Sequence, residues 1–266
     1  MIRDITLGQY YPTDSVLHRL DPRVKLCGTL LYVISLFLFQ SFTGYIVATI
    51  FLVSMIVLSN VPVSFIFRGL KAVLVLLIFT AILNVFLTPG RVLFSFWKIS
   101  VTIEGLRLAS FMVLRLIYLI TGSSIMTLTT TPSNLTDGLE KGLGWLKVIK
   151  VPVHEIAMMM SIALTFIPVL LEETDKIMKA QQSRGADFES GNIFRRIKAL
   201  VPILVPLFIS AFRRANDLAI AMESRCYRGG EGRTKLYPLR YEKRDYIAYT
   251  VLGLYICAVI IVGIFL

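Results

Sequence analysis

Apolar residues fall along this chain in long stretches poor in charge, separated by short polar breaks. Four lie in the first half, Val24 to Phe42, Tyr45 to Leu58, Ala72 to Leu87 and Leu106 to Thr131, and a fifth closes the chain from Tyr246 to Leu266. A bilayer hydrocarbon core about 30 Å thick takes roughly 20 apolar residues per helix, so each stretch predicts a membrane-crossing helix, the second a short one. Asn60 and Pro62 punctuate the second, and Pro89 and Gly90 the third, because the residue before a proline is pushed out of the helical region. The fourth holds Arg107 and Arg115. Arg107 can snorkel, whereas Arg115, about 12 Å further along, is expected to face the bundle and bridge to a neighbour.

Between Pro132 and Asp245 the pattern changes, with 18 of the 28 Lys and Arg residues and 13 of the 17 Asp and Glu residues. Apolar positions there recur at steps of three and four. One series is Ile156, Met160, Ala163, Ile167, Leu170, Thr174, Ile177, and the other Ile193, Ile197, Leu200, Leu204, Leu207, Ala211, Ala215, Leu218, Met222. That spacing puts each series on one face of a helix. Two amphipathic helices of about 30 residues are predicted, with kinks at Pro168, Pro202 and Pro206. Their length and charge argue for interfacial or cytoplasmic helices rather than extra spans. The charge-free part of the second, Ala199 to Phe212, is too short to cross. Met158, Met159 and Met160 suit either ordinary core filling or a face for partners that move.

The fold class expected is all-α: a polytopic membrane protein with about five transmembrane helices plus long amphipathic helices. Residues 1–131 would form an N-terminal membrane bundle, 132–245 a cytoplasmic or interfacial domain, and 246–266 a C-terminal transmembrane helix. Composition agrees, at 56% apolar and 17% charged, too apolar for a soluble domain. The net charge of +11 would suggest nucleic acid in a soluble protein, but here it follows from topology, since Lys and Arg collect on cytoplasmic segments. Arg3, Arg19, Arg23 and Lys25 precede the first span, and Arg68 and Lys71 join the second to the third. The first hairpin turn, Gln40 to Gly44, has no basic residue, and the loop after the third span has only Arg91 and Lys98. The N-terminus and the charged segment are therefore expected to be cytoplasmic and the C-terminus external. Met1 to Asp21 does not read as a signal peptide. Cys27, Cys226 and Cys257 show no metal or disulfide spacing.

Each amphipathic series ends in a similar phrase, Gln182-Ser183-Arg184-Gly185 and Glu223-Ser224-Arg225-Cys226, the latter followed by Tyr227, Arg228, Gly229 and Gly230. Gly185 and Gly229 suit helix stops, since glycine tolerates the left-handed conformation of a C-cap. By spacing alone, Arg184 and Arg225 need only offset the helix macrodipole. A small residue followed by Arg, repeated on two exposed helices, also suits a grip on carboxylates or carbonyls in a partner's groove.

The stretch Gly8-Gln9-Tyr10, Asp14-Ser15, Leu17 to Arg23 and Lys25-Leu26 resembles the opening of the transmembrane (T) components of energy-coupling factor transporters. The two Ser-Arg phrases resemble that family's paired Ala-Arg-Gly motifs, and Ala180 to Phe188 agrees well around the first. The resemblance covers essentially the whole chain. It implies an ATP-driven importer of vitamins or related micronutrients, built from this chain, two ABC-type ATPase subunits and a substrate-binding membrane S component. The amphipathic helices would be coupling helices carrying the ATPase stroke into the membrane, with Ser183, Arg184, Gly185, Ser224, Arg225 and Cys226 docking on the two ATPases. ATP and Mg would be bound by those partners and no cofactor by this chain. Ser replaces Ala at 183 and 224, and Cys226 replaces Gly; cysteine enters left-handed backbone less freely than glycine.

A membrane-embedded enzyme is disfavoured. His18 and His154 are the only histidines, His154-Glu155 lacks the second histidine of a zinc HExxH helix, and Glu172-Glu173-Thr174-Asp175 lacks the spacing of prenyl-diphosphate chemistry. No GxxxxGK[ST] loop is present for self-contained ATP hydrolysis. A stand-alone transporter or channel would want intramembrane ionisable residues or inverted repeats, and only Arg115 offers the former.

Overall fold

The computed structural model describes residues 10–39, 41–96, 99–186, 188, 193–230, 232, 236 and 238–265. Met1, Arg3, Gly8, Gln9, Gln40, Lys98, Asp187 and Leu266 lie outside them, and of Ile193 only the backbone is described. Two compact units emerge, residues 10–142 with 239–265, and residues 143–238.

The first unit holds six helices: α1 (Pro22–Leu38), α2 (Phe42–Ser59), α3 (Val63–Leu87), α4 (Ile103–Thr129), α5 (Pro132–Gly142) and, from the far end of the chain, the C-terminal helix Lys243–Phe265. Between α3 and α4 runs an antiparallel hairpin, β1 (Val92–Phe96) with β2 (Ile99–Thr102), so the fold is all-α apart from this loop ornament. Helix ends follow local chemistry. Asp21 caps α1, its carboxylate accepting the Arg23 backbone N–H at 2.9 Å, and Pro22 takes the first turn, where a missing N–H costs nothing. Asn60 ends α2 in a left-handed conformation at φ 52°, as its position after the second apolar run foretold. Thr102 caps α4 by accepting the Gly105 N–H at 3.1 Å.

The second unit holds α6 (Val153–Ser183) and α7 (Ile193–Ser224), preceded by a 3-10 segment Gly144–Ile149. The C-terminal helix of the first unit is α8. The helices continue through Pro168 and through Pro202 and Pro206. The boundary between units lies after Gly142 rather than after Thr131, because α5 packs on α1. Gly138 permits that approach: a side chain there would meet Pro22 Cβ at 2.8 Å. On the other side of the charged segment, residues 239–245 also belong with the bundle.

By length and composition α2, α4, α6 and α8 can each cross a bilayer, and α3 joins them if its arms Val63–Lys71 and Val73–Leu87, meeting at 58°, form one span. The chain is a multi-pass membrane protein. The second arm of α3 coincides with the apolar run read from Ala72. α6 departs from the expectation that neither amphipathic helix is built to cross. Its acidic and basic residues Glu172, Glu173, Asp175, Lys176 and Lys179 crowd the second half, leaving Ile156 to Leu171 free of charge.

The bundle core is aromatic and hydroxyl-rich. Tyr32, Leu36, Tyr45, Ala48, Leu52 and Tyr255 are buried together. Tyr255 of α8 stacks on Phe51 of α2 at 4.2 Å between centroids and shares a 2.7 Å hydrogen bond with Ser35 of α1. These contacts lock the last helix against the first two. Gly122 of α4 lies against the Tyr32 ring with no room for a side chain. Arg115 behaves as expected: half-buried, it donates to the carbonyl of Phe39 at the end of α1 (3.3 Å) and stands 5.2 Å over the Phe37 ring.

The N-terminal phrase that carried the family resemblance is a structural clasp. Arg19 clasps Asp14 through two hydrogen bonds, and that contact holds the Asp14 carboxyl below the usual range. His18 donates from Nε2 to the Tyr11 carbonyl at 3.0 Å, which leaves Nδ1 to accept from the Ser15 hydroxyl at 2.6 Å. Asp21 is buried, which would raise its carboxyl, yet the Arg23 guanidinium (2.8 Å) and backbone N–H outweigh burial and hold it low. Asp245, also buried, accepts the Asp21 N–H and the Glu242 N–H, each at 2.8 Å, tying the start of α8 to the start of α1.

Candidate functional site

Both predicted arginine phrases fall at helix ends, and the two ends are built alike. α6 stops with Arg184 as its C-cap. Gly185 N–H donates to Gln182 O at 2.9 Å and Ala186 N–H to Gln181 O at 3.0 Å. At the end of α7, Cys226 N–H donates to Glu223 O at 2.9 Å and Tyr227 N–H to Met222 O at 3.0 Å. These are two Schellman motifs in the same register, with an arginine at the cap and the following residue in the left-handed region. Gly185 has φ 88° and Cys226 φ 56°.

This corrects the expected stop at Gly229. Gly229 is left-handed too, at φ 91°, but it lies in the loop beyond; Cys226 is the residue that turns the chain off α7. The reluctance of cysteine to enter this region is overcome by the paired backbone bonds, which satisfy carbonyls that a helix end otherwise leaves open. The preceding serines point inward to their own helices, Ser183 Oγ donating to Lys179 O and Ser224 Oγ to Ala221 O, each at 3.0 Å. Their hydroxyls are thereby spent locally.

Ser183, Arg184, Gly185, Ser224, Arg225 and Cys226 are all exposed. Around Gly185 a side chain would meet nothing within 4 Å, so each arginine stands on an open, tightly turned helix tip. The two helices meet at equivalent places: Arg214 of α7 pairs with Glu173 of α6 at 3.5 Å. That contact lies eleven residues before Arg225 and eleven before Arg184, so each tip projects about 16 Å beyond the pair by helical rise. The equal register was legible as the 41-residue spacing of the arginines, but the Glu173–Arg214 pair carried no separate signal in the sequence. Apolar residues on these helices stay exposed, among them Ile156, Met159 and Met160 on α6 and Phe208, Ile209 and Phe212 on α7. Among the described residues no three His, Cys, Asp or Glu side chains converge as a metal set.

Residues 13–236 match the family CbiQ, described as cobalt transport protein. The chain is 54% identical over 267 residues to the energy-coupling factor transporter transmembrane protein EcfT of Clostridium kluyveri, covering 99% of this chain and 96% of that one. It belongs to this family. The EcfT of Thermosediminibacter oceani is 52% identical over 253 residues, covering 95% and 96% of the two chains, and that of Lactococcus lactis subsp. cremoris 46% over 245 residues, covering 92% of each. The family match reaches from the N-terminal clasp through both arginine tips of the EcfT-like chain.

Proposed function

We propose that this chain is the coupling subunit of an ATP-driven energy-coupling factor importer, with the helical bundle as membrane anchor and the segment that carries α6 and α7 as coupling domain. Its N-terminus and helix tips face the cytoplasm, and its C-terminus lies outside. Arg184 and Arg225, with Ser183, Gly185, Ser224 and Cys226, dock on two ABC-type ATPase subunits, which bind ATP and Mg and hydrolyse the nucleotide. A substrate-binding membrane S component captures a vitamin or related micronutrient and receives the motion.

The observation that carries this reading is the pair of equivalent exposed tips. Two copies of one geometry, at equal distances from a shared crossing, suit two copies of one kind of partner. A planar guanidinium on a helix end where backbone N–H groups already satisfy two of the last carbonyls is free to bond outward. The exposed apolar residues of α6 and α7 give the membrane partner a surface to lean on.

The test is the double variant Arg184→Glu with Arg225→Glu in the assembled transporter. Membrane insertion should persist while co-purification of the ATPases and substrate uptake are lost, because both grips reverse in charge. Uptake at the wild-type rate would overturn the docking assignment.

A further inference from the structure

A groove of about 200 Å³ opens into the bundle between α1, α2, α4 and α8, with almost wholly apolar walls. Its volume falls below the roughly 300–1,000 Å³ of enclosed small-molecule sites, and several wall residues, such as Leu58 and Val251, are exposed on the outside of the helices. It therefore suits part of a chain whose remainder stays in the bilayer.

Two cations mark one end, where α1 and α8 begin and α2 and α4 finish. Lys25 donates to the carbonyls of Thr129 (2.8 Å) and His18 (3.3 Å), which leaves one of its three donors unspent. Its ammonium makes no ion pair with a carboxylate among the described residues, although the Asp21 and Asp245 carboxylates act on it through space. Arg244 pairs with Glu242 at 3.0 Å, yet its Nε is buried with no hydrogen-bond partner there. Away from these cations the groove runs along α1 to Tyr32, about 10 Å by helical rise, and its far walls are Phe51, Gly122 and Leu252.

We infer that this groove holds one anionic phospholipid, its phosphate on Lys25 and Arg244 and an acyl chain along the apolar wall. Unspent cationic donors at the headgroup level beside a hydrocarbon slot complement such an amphiphile at both ends, and basic pockets between transmembrane helices bind anionic headgroups in the same way. The inference stands apart from the docking reading, since every groove residue lies in the bundle.

Native mass spectrometry of the full-length chain in micelles with equal phosphatidylglycerol and phosphatidylcholine tests it. One phosphatidylglycerol should be retained, about twentyfold over phosphatidylcholine, with the preference cut about fivefold by either Lys25→Gln or Arg244→Gln. Gly28→Phe, at a site where an added Cβ meets only Leu252 carbons at 4.0 Å, should reduce retention of both lipids. Lys243→Gln, an exposed neighbour that does not line the groove, should change nothing. Arg244→Gln keeps the test readable if Lys25→Gln, which also unties Thr129, fails to fold. Equal retention of the two lipids, a preference unmoved by the charge variants, or an equal loss with Lys243→Gln would overturn the assignment.

Discussion

Gly185 and Cys226, 41 positions apart, occupy the same left-handed position at the ends of α6 and α7, at φ 88° and 56°. One is the residue the geometry favours and the other is not. Cys226→Gly is therefore expected to stabilise the α7 tip by about 0.5–1 kcal/mol, and Cys226→Val to destabilise it by about 1–2 kcal/mol. Hydrogen exchange at the amides of Cys226 and Tyr227 reads the effect directly. Identical protection in all three proteins would show that the left-handed turn is not what ends the helix.

Asp245 joins the two ends of the chain. Its carboxylate is buried and accepts one N–H from Asp21 and one from Glu242. Asp245→Ala strands both donors, a loss of about 2–6 kcal/mol at about 1–3 kcal/mol per unsatisfied buried group. Asp245→Asn keeps one acceptor and should fall between. Thermal unfolding in detergent ranks the three proteins, and an alanine variant as stable as wild type would remove the clasp from the account.

The N-terminal clasp predicts acid sensitivity. His18 is held below its ordinary value first by burial and also by the nearby Lys25 charge, against the raising effect of the Tyr11 and Leu128 carbonyls. The unfolded chain then binds this proton more readily, so the contribution is full above about pH 6.5 and declines as pH falls through it. Asp21, also held low, adds a second loss of the same sign below about pH 4. Midpoints of thermal unfolding across this range should fall in two steps, with His18→Gln flattening the upper one. An upper step that persists in His18→Gln would assign it to another group.

Packing of α8 and α4 on α1 gives two further expectations. Tyr255→Phe removes the hydrogen bond to Ser35 while retaining the stack on Phe51, at about 1 kcal/mol. Gly122→Leu drives a side chain into the Tyr32 ring and should cost about 1–3 kcal/mol. If the leucine variant is the less damaging of the two in chemical unfolding, the close approach of α4 to α1 is wrong.

Much of this protein was legible in one dimension. Hydrophobic runs and their breaks determined that the chain is helical and lives in a membrane, because hydrocarbon leaves a backbone few alternatives. Periodicity of three and four marked α6 and α7 and led to the arginine phrases at their ends. The paired motif was visible as a repeated Ser-Arg, and the chain matches the family model over residues 13–236.

What the linear pattern hid depends on partners distant in sequence. That Cys226, and not Gly229, turns the chain off α7 is decided by backbone bonds to Met222 and Glu223, which outweigh a side chain's preference. α6 reads as amphipathic when its charges are averaged over its length, but they lie in its second half, and its first half is apolar enough to cross a membrane. The Asp21–Asp245 clasp joins residues 224 positions apart, and the cationic end of the lipid groove joins α1 to α8. Local sequence determined each helix and each tip; only tertiary packing decided which buried polar groups meet, since a buried carboxylate or N–H must find a partner wherever the fold brings one.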